Sequence, residues 1–328
     1  MSAAVLEVRD LQTHFFTKAG IARAVDGVSF TIGKGELVGL VGESGSGKTV
    51  TGFSILGLAD PPGRIVGGSI TIGGAELVGR SEEKLRPIRG RKIAMIFQDP
   101  MMTLNPVLRI DAQMIETIKA HEDVSADAAR ERARAALGKV GIASPDERLA
   151  AYPHQFSGGM RQRVAIAIAM LFEPELIIAD EPTTALDVTI QAQILHEMQK
   201  LCADSGTALL WITHDLAVIA GLADRILVMY AGRIVEEGPV DDVLDHPLHP
   251  YTKGLIGSVP SQNVRGRPLA QIPGMTPSLL HLGTGCAFAA RCPRADALCR
   301  SEAPALTSHG PDRASRCHHP HLDVAAAS

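Results

Sequence analysis

The sequence predicts an α/β fold built on a mostly parallel sheet, and three observations predict it. Short apolar runs recur at Leu37–Val41, Ile93–Phe97, Leu176–Asp180, Ala208–His214 and Arg225–Met229; segments with helical spacing separate them; and the first run ends in a glycine-rich loop that opens a helix. Strands covered on both faces read as continuous apolar runs, and strands alternating with helices imply parallel neighbours joined by right-handed crossovers.

Taken in order, Val5–Val8 and Val28–Ile32 alternate in polarity and predict short strands, with a turn over Gly33–Glu36. The run Leu37–Val41 follows, then the loop, then a helix over Val50–Leu58 that Pro61-Pro62 ends. The pattern from Asp111 to about Val140 is mostly helical, and its alternating Arg130, Glu131, Arg132 and Arg134 read as a solvated face. A further helix is predicted over Gly158–Phe172.

With 328 residues, the chain suits one large domain plus a smaller appendage, and we place the boundary at 240/241, with a helical subdomain over about 99–175. A hydrophobic content of 45% against 21% charged residues excludes wholesale disorder. The net charge of −4 supplies no basic footprint for phosphate neutralisation, which argues against nucleic acid as a partner. Met1–Leu11 has no apolar run of the kind a secretory signal carries. The longest apolar stretch, Val164–Phe172, falls short of the roughly 20 residues that span a bilayer. The expectation is a cytosolic protein that docks onto another chain's helices if it works at a membrane.

Gly42-Glu43-Ser44-Gly45-Ser46-Gly47-Lys48-Thr49 fits Gly-x-x-x-x-Gly-Lys-Thr between a predicted strand and a predicted helix. Glycines there let successive backbone N–H groups turn inward around phosphates, and the helix N-terminus adds its positive dipole end. Lys48 is expected to bridge the β- and γ-phosphates, and the Thr49 hydroxyl to ligate Mg²⁺. Asp180-Glu181 ends another apolar strand, at the kind of strand end where open α/β sheets bind ligands. Asp180 is the expected Mg²⁺ ligand, through water, and Glu181 the expected general base. Ser157 opens a helix at Gly158-Gly159, an arrangement that caps the helix and can also hold an anion.

On these residues the chain resembles the ABC ATPase family, in which Phe156-Ser157-Gly158-Gly159-Met160-Arg161-Gln162-Arg163 corresponds to the signature motif. The resemblance implies a P-loop (RecA-like) ABC ATPase core with an antiparallel β subdomain and an α-helical signature subdomain. It also implies that Ser157, Gly158 and Gly159 bind the γ-phosphate of ATP held by a second subunit. Gln98 matches the Q-loop residue, as a Mg²⁺ and catalytic contact; Asp187, after Ala185-Leu186, matches the D-loop; and His214, after Ile212-Thr213, matches the switch histidine. An aromatic near the start normally stacks on adenine; Phe15 is the candidate, with Phe16 beside it, and the usual tyrosine is absent.

The resemblance continues through His246-Pro247-Leu248-His249-Pro250-Tyr251-Thr252-Lys253-Gly254-Leu255, Pro260, Pro273-Gly274 and Glu302–Leu306. These look like the C-terminal extension of dipeptide/oligopeptide importer ATPases, a group that includes some nickel and glutathione importers. It implies an ATPase coupled to two separate permease subunits and an external substrate-binding protein, at the cytoplasmic face of the cell membrane. Its ATPase partner in that family is a second subunit, often a paralogue. An ABC ATPase of DNA repair or translation would carry tandem cores, a coiled-coil insertion or basic arms, which this chain lacks.

Cys286, Cys292, Cys299 and Cys317 are spaced C-x5-C-x6-C-x17-C within the extension. Four thiolates suit a tetrahedral zinc or an iron–sulfur cluster, and the lack of C-x-x-C pairs favours a cluster. The resemblance implies 4Fe-4S. Two disulfides compete as a reading, against the reducing conditions of a cytosol. His318 and His319 are spare ligand candidates, and Cys202 reads as a small core residue.

Overall fold

The computed structural model describes residues 4–184, 186–259, 263 and 270–322; Ala185 and Pro260, both named above, lie outside the described residues. The chain opens with two 14-residue strands, β1 (Ala4–Thr17) and β2 (Gly20–Gly33), longer than the runs the alternation predicts. An irregularity at Asp10, φ +46°, shifts the period by one, so the buried positions pass from Val8 to Leu11 and Thr13. Strict period-two reading stops at that point although the strand does not.

β3 (Leu37–Val41) leads through the glycine loop into α1 (Lys48–Ile55), followed by β4 (Gly63–Ile72), β5 (Ala75–Glu76), α2 (Glu82–Leu85) and β6 (Ile93–Ile96). Two helices, α3 (Ile110–Lys119) and α4 (Ala126–Lys139), replace the single one expected between them. Ser125 takes an extended backbone and its hydroxyl accepts the Ala128 N–H at 3.2 Å, which starts a new helix. The expected solvated face is corrected too. Arg130 pairs with Asp111 of α3 at 2.5 Å, and Arg132 bonds Glu122 and the Leu171 carbonyl while lying over the Phe172 ring. Only Arg134, paired with Glu131, keeps the character of a surface charge.

α5 (Pro145–Leu149), α6 (Gly158–Ala169), β7 (Leu176–Asp180), α7 (Val188–Ser205) and β8 (Ala208–Thr213) come next. Then follow α8 (Leu216–Ala220), β9 (Arg225–Tyr230), β10 (Arg233–Pro239), α9 (Val240–Asp245), α10 (Pro250–Gly257), α11 (Ala297–Ser301), β11 (Thr307–Ser308) and β12 (Ala314–Ser315).

These elements fall into two compact units. The first comprises Met1–Leu6, Ile32–Glu36 and Ile72–Trp211. In it β6 and β7 run parallel, Ile93 opposite Leu176 through Ile96 opposite Ala179, and every residue of β7 is buried. The second comprises Glu7–Thr31, Leu37–Thr71 and Ile212–Ser328. There β3 is parallel to β9, while β10 is antiparallel both to β9 and to β12. Parallel and antiparallel pairing therefore coexist, and the parallel strands are the continuously apolar ones, as burial on both faces requires.

Candidate functional site

In the second unit, the loop after β3 is shaped by glycines that no other residue can replace. Gly42 has φ +154°, and a Cβ there would meet the Met229 carbonyl oxygen at 2.2 Å; Gly47, at φ +108°, would meet the Ala24 carbonyl oxygen at 2.2 Å. Gly232 N–H donates to the Ser46 carbonyl, tying the loop to the turn after β9. Lys48 is 5% exposed, and its ammonium donates to the carbonyls of Gly42 and Glu43 at 2.8 and 3.1 Å, so the positive charge sits inside the loop. The Ser46 hydroxyl is buried without a hydrogen-bond partner. Gly47 begins α1 without a side-chain cap, and no acid stands in the first turn to oppose an anion. Ser44, Gly45 and Thr49 are exposed around this charge. A glycine cradle, an internal ammonium and a buried hydroxyl lacking a partner fit a bound polyphosphate with its Mg²⁺.

Other predicted residues of this unit are placed as follows. Phe15 is half-buried against Gly63 of β4, whereas Phe16 is more exposed and carries the Arg64 guanidinium 4.0 Å from its ring centroid. His214 is exposed just past β8, before Asp215 caps α8 by accepting the Ala217 N–H.

In the first unit, Asp180 is the buried last residue of β7, and Glu181 follows it with φ +44°, a backbone region costly for a residue with a Cβ. The Glu181 Oε2 atom accepts from the Thr184 hydroxyl at 3.1 Å and from Gln98 Nε2 at 3.5 Å. Gln98 and Glu181, 83 residues apart, are thus brought together. Asp187 caps α7, accepting the Ile190 N–H at 3.0 Å, and Ser157 caps α6, accepting the Met160 N–H at 3.3 Å. The glycines after Ser157 have a packing reason: a Cβ on Gly158 would touch Leu186, and one on Gly159 would lie 2.8 Å from Ile190 Cγ2. The start of α6 therefore sits directly on the segment that carries Asp187.

The extension brings Cys286, Cys292, Cys299 and Cys317 around one small pocket, with Phe288, Pro250 and His249 among its other walls. The Cys317 sulfur accepts the His319 N–H at 3.4 Å, while the Ala289 N–H donates to the Cys286 carbonyl at 3.0 Å. Burial pushes the Cys317 thiol up to about 11, with the other three sulfurs adding to the effect. Asp296 caps α11 through the Cys299 N–H and holds the His319 ring at 2.9 Å, so a carboxylate and an imidazole stand beside Cys299 as further donors. No cysteine is in a disulfide. The ligand atoms of Asp296, Cys299 and His319 lie within 4.8 Å of one another, a donor set that suits a metal ion, and the other three sulfurs line the same pocket.

Two further residues of the phosphate loop's surroundings are not marked by the motifs: Tyr251 stands inside the importer-type stretch at 246–255, and Arg291 stands in no motif. Yet the Tyr251 hydroxyl accepts the N–H of Glu43 at 2.8 Å, and Arg291 binds the Glu43 carboxylate through both terminal nitrogens.

A glycine phosphate loop with an internal lysine, a strand ending in Asp-Glu and a serine-capped Gly-Gly helix together define an ATP-binding cassette ATPase. Comparison with known proteins agrees. Residues 25–184 match the family model described as ABC transporter, and residues 235–299 match that of the oligopeptide/dipeptide transporter C-terminal region. The chain is 50% identical to a probable peptide ABC transporter ATP-binding protein, y4tR, of Sinorhizobium fredii, covering 95% of this chain and 94% of that one. It is 48% identical to the oligopeptide transport ATP-binding protein AppD of Bacillus subtilis, covering 95% and 96%. Among solved structures, the post-hydrolysis dimer of the ATP-binding cassette MJ0796 bound to ADP and Pi matches with TM-score 0.64 and 28% identity, over 72% of this chain and 98% of that one. The chain belongs to the family of ATP-binding proteins of oligopeptide/dipeptide ABC transporters, and it carries that family's ATP-hydrolysing cassette. Among the described residues no helix is long and apolar enough to cross a membrane.

Proposed function

We propose that this chain is the translocation-driving ATPase of a peptide importer, and that it hydrolyses ATP at sites shared between two ATPase subunits. The observation that carries the catalytic reading is the Glu181 carboxylate held by Gln98 and Thr184 at the end of the β7 strand. Residues 42–49 wrap the phosphates, Lys48 balances the β- and γ-charges, and Phe15 stacks on adenine. Mg²⁺, when bound, neutralises charge between those phosphates; Thr49, Asp180 and Gln98 would hold it. Glu181 takes the proton of the attacking water, and His214 contacts the γ-phosphate. Ser157, Gly158 and Gly159 offer the α6 N-terminus to the γ-phosphate of the nucleotide on the other subunit, and Asp187 lines the same junction. ATP then favours the closed pair over the open one, and only that difference in affinity can move an attached permease.

The peptide cargo rests on the peptide-transport relatives named above. The partners in this reading are a paralogous ATPase subunit, two permease subunits and an external substrate-binding protein, with the chain peripheral on the cytoplasmic face of the membrane. Met102, Val107 and Leu108, exposed after Gln98, supply apolar surface for docking onto the permease. Residues 1–240 form the ATPase domain and 241–328 the extension, whose four cysteines hold a 4Fe-4S cluster. Purification of the tagged chain from membranes tests the whole: permease subunits should copurify, and peptide-loaded binding protein should stimulate ATP hydrolysis in reconstituted vesicles. A chain that copurifies with nucleic acid, or whose ATPase ignores peptide, contradicts the reading.

A further inference from the structure

One residue of the phosphate loop, Glu43, is held by the C-terminal extension through both its backbone and its side chain. Its N–H donates to the Tyr251 hydroxyl at 2.8 Å. Its carboxylate takes two hydrogen bonds from Arg291, Nη1 to Oε2 at 2.6 Å and Nη2 to Oε1 at 3.0 Å, the paired geometry in which a guanidinium binds a carboxylate most strongly. Neither partner is free to drift. Arg291 is 6% exposed, with Nε on the Pro273 carbonyl at 2.9 Å and Nη1 also 3.4 Å from the Tyr230 hydroxyl.

Tyr251 is fully buried and packs with Tyr230 and Phe288 at ring-centroid distances of 4.5 and 5.5 Å. Its place at the start of α10 is fixed by the His249 ring, whose Nδ1 accepts the Tyr251 N–H, and by the buried Glu236, which accepts the N–H groups of Leu248 and His249. The His-Pro-Leu-His-Pro-Tyr stretch thus acts as a bracket that delivers one hydroxyl to the phosphate loop.

Arg291 itself sits in the tight turn between Cys286 and Cys292. Ala289 N–H donates to the Cys286 carbonyl and Arg291 N–H to the Phe288 carbonyl, so the turn that carries the guanidinium is anchored at Cys286 and ends at Cys292. From these contacts we infer that Arg291 and Tyr251 are positioning residues of the phosphate loop, and that the thiol-bound group in the extension governs nucleotide affinity through Arg291 and Glu43. The inference rests on the proposed readings that this loop binds ATP and that the extension's cysteines hold a metal group.

The test is equilibrium binding of a fluorescent ATP analogue with Mg²⁺ to the full chain, with thermal midpoints recorded alongside. Arg291→Ala and Glu43→Gln should each weaken binding about tenfold, and the double variant no further, because one charge-assisted pair is lost in all three. Tyr251→Phe, which keeps the aromatic packing, should weaken binding by several-fold. Stripping the metal group with a chelator under reducing conditions should weaken binding in the wild-type chain but not in Arg291→Ala. Arg291→Lys keeps the charge but loses the paired geometry, and should recover only part of the affinity. Unchanged affinity in Tyr251→Phe and Glu43→Gln overturns the inference, even if Arg291→Ala fails to fold. So does equal weakening by the chelator in wild type and Arg291→Ala. Lys48→Ala separates the underlying reading: it should abolish binding, and if it does not, the loop is not the nucleotide site.

Discussion

Gln98 Nε2 lies 3.5 Å from Glu181 Oε2, which joins the segment after β6 to the end of β7 through a single carboxylate oxygen. Thr184 holds the same oxygen, and the Glu181 backbone is in the left-handed region, so the carboxyl group is fixed by its neighbours and not by its own preferred conformation. Such preorganisation suits a group that must orient one water molecule.

Glu181→Gln keeps the shape but removes the base. Nucleotide affinity should stay within about threefold while kcat falls by a factor on the order of 10² or more, and the closed dimer should accumulate with ATP. Rapid-quench turnover and size-exclusion chromatography check both parts. Gln98→Ala should lower kcat less, by about tenfold, since Thr184 still holds the carboxylate.

Gly159→Ala should destabilise the first unit by about 1–3 kcal/mol, because the new methyl overlaps Ile190 Cγ2. The double variant Gly159→Ala/Ile190→Ala should be less destabilised than the sum by about 1 kcal/mol or more. Denaturant midpoints of the four proteins decide this, and strict additivity would place the overlap elsewhere.

Cys202 is buried, and its thiol is pushed up to about 12 by that burial, so at pH 8 about one molecule in 10⁴ carries the reactive thiolate there. Maleimide should leave Cys202 unmodified in the native chain at pH 8 and label it once the chain is denatured. Peptide mass spectrometry reads the outcome. Rapid native labelling contradicts its place in the core.

Protein purified without oxygen should be brown and contain iron and sulfide in about a 1:1 ratio, as a 4Fe-4S cluster requires. Replacing Cys286 and Cys299 together with serine should remove both elements. A colourless, zinc-loaded protein would instead assign the four sulfurs to zinc.

The parts of the site that were legible are those whose residues are consecutive. The phosphate loop, Asp180-Glu181 and Ser157-Gly158-Gly159 each declare themselves because a loop, strand end or helix start needs its residue types at fixed spacing. Other features were lost to local breaks in the period. Asp10 shifts the alternation of β1, and Ser125 divides a helical pattern whose composition never changes. Arg132 looked solvated because its partners, Glu122 and Leu171, belong to other parts of the chain. Arg291 was the least legible, since its partner lies 248 residues earlier and its role depends on burial that no local pattern encodes. The sequence already offers His319 as a spare ligand beside the cysteines, while Asp296, which stands with it and Cys299, is placed only by the fold.

In the proposed mechanism ATP is cleaved between the glycine loop of one subunit and the Ser157-capped helix of another. The most direct test is the hydrolysis rate per subunit as a function of subunit concentration, for wild type and Ser157→Arg, alone and with the partner ATPase subunit added. The rate should rise steeply as subunits associate, and Ser157→Arg should nearly abolish it without loss of nucleotide binding to the monomer. A rate per subunit that is independent of concentration and untouched by Ser157→Arg would contradict the mechanism.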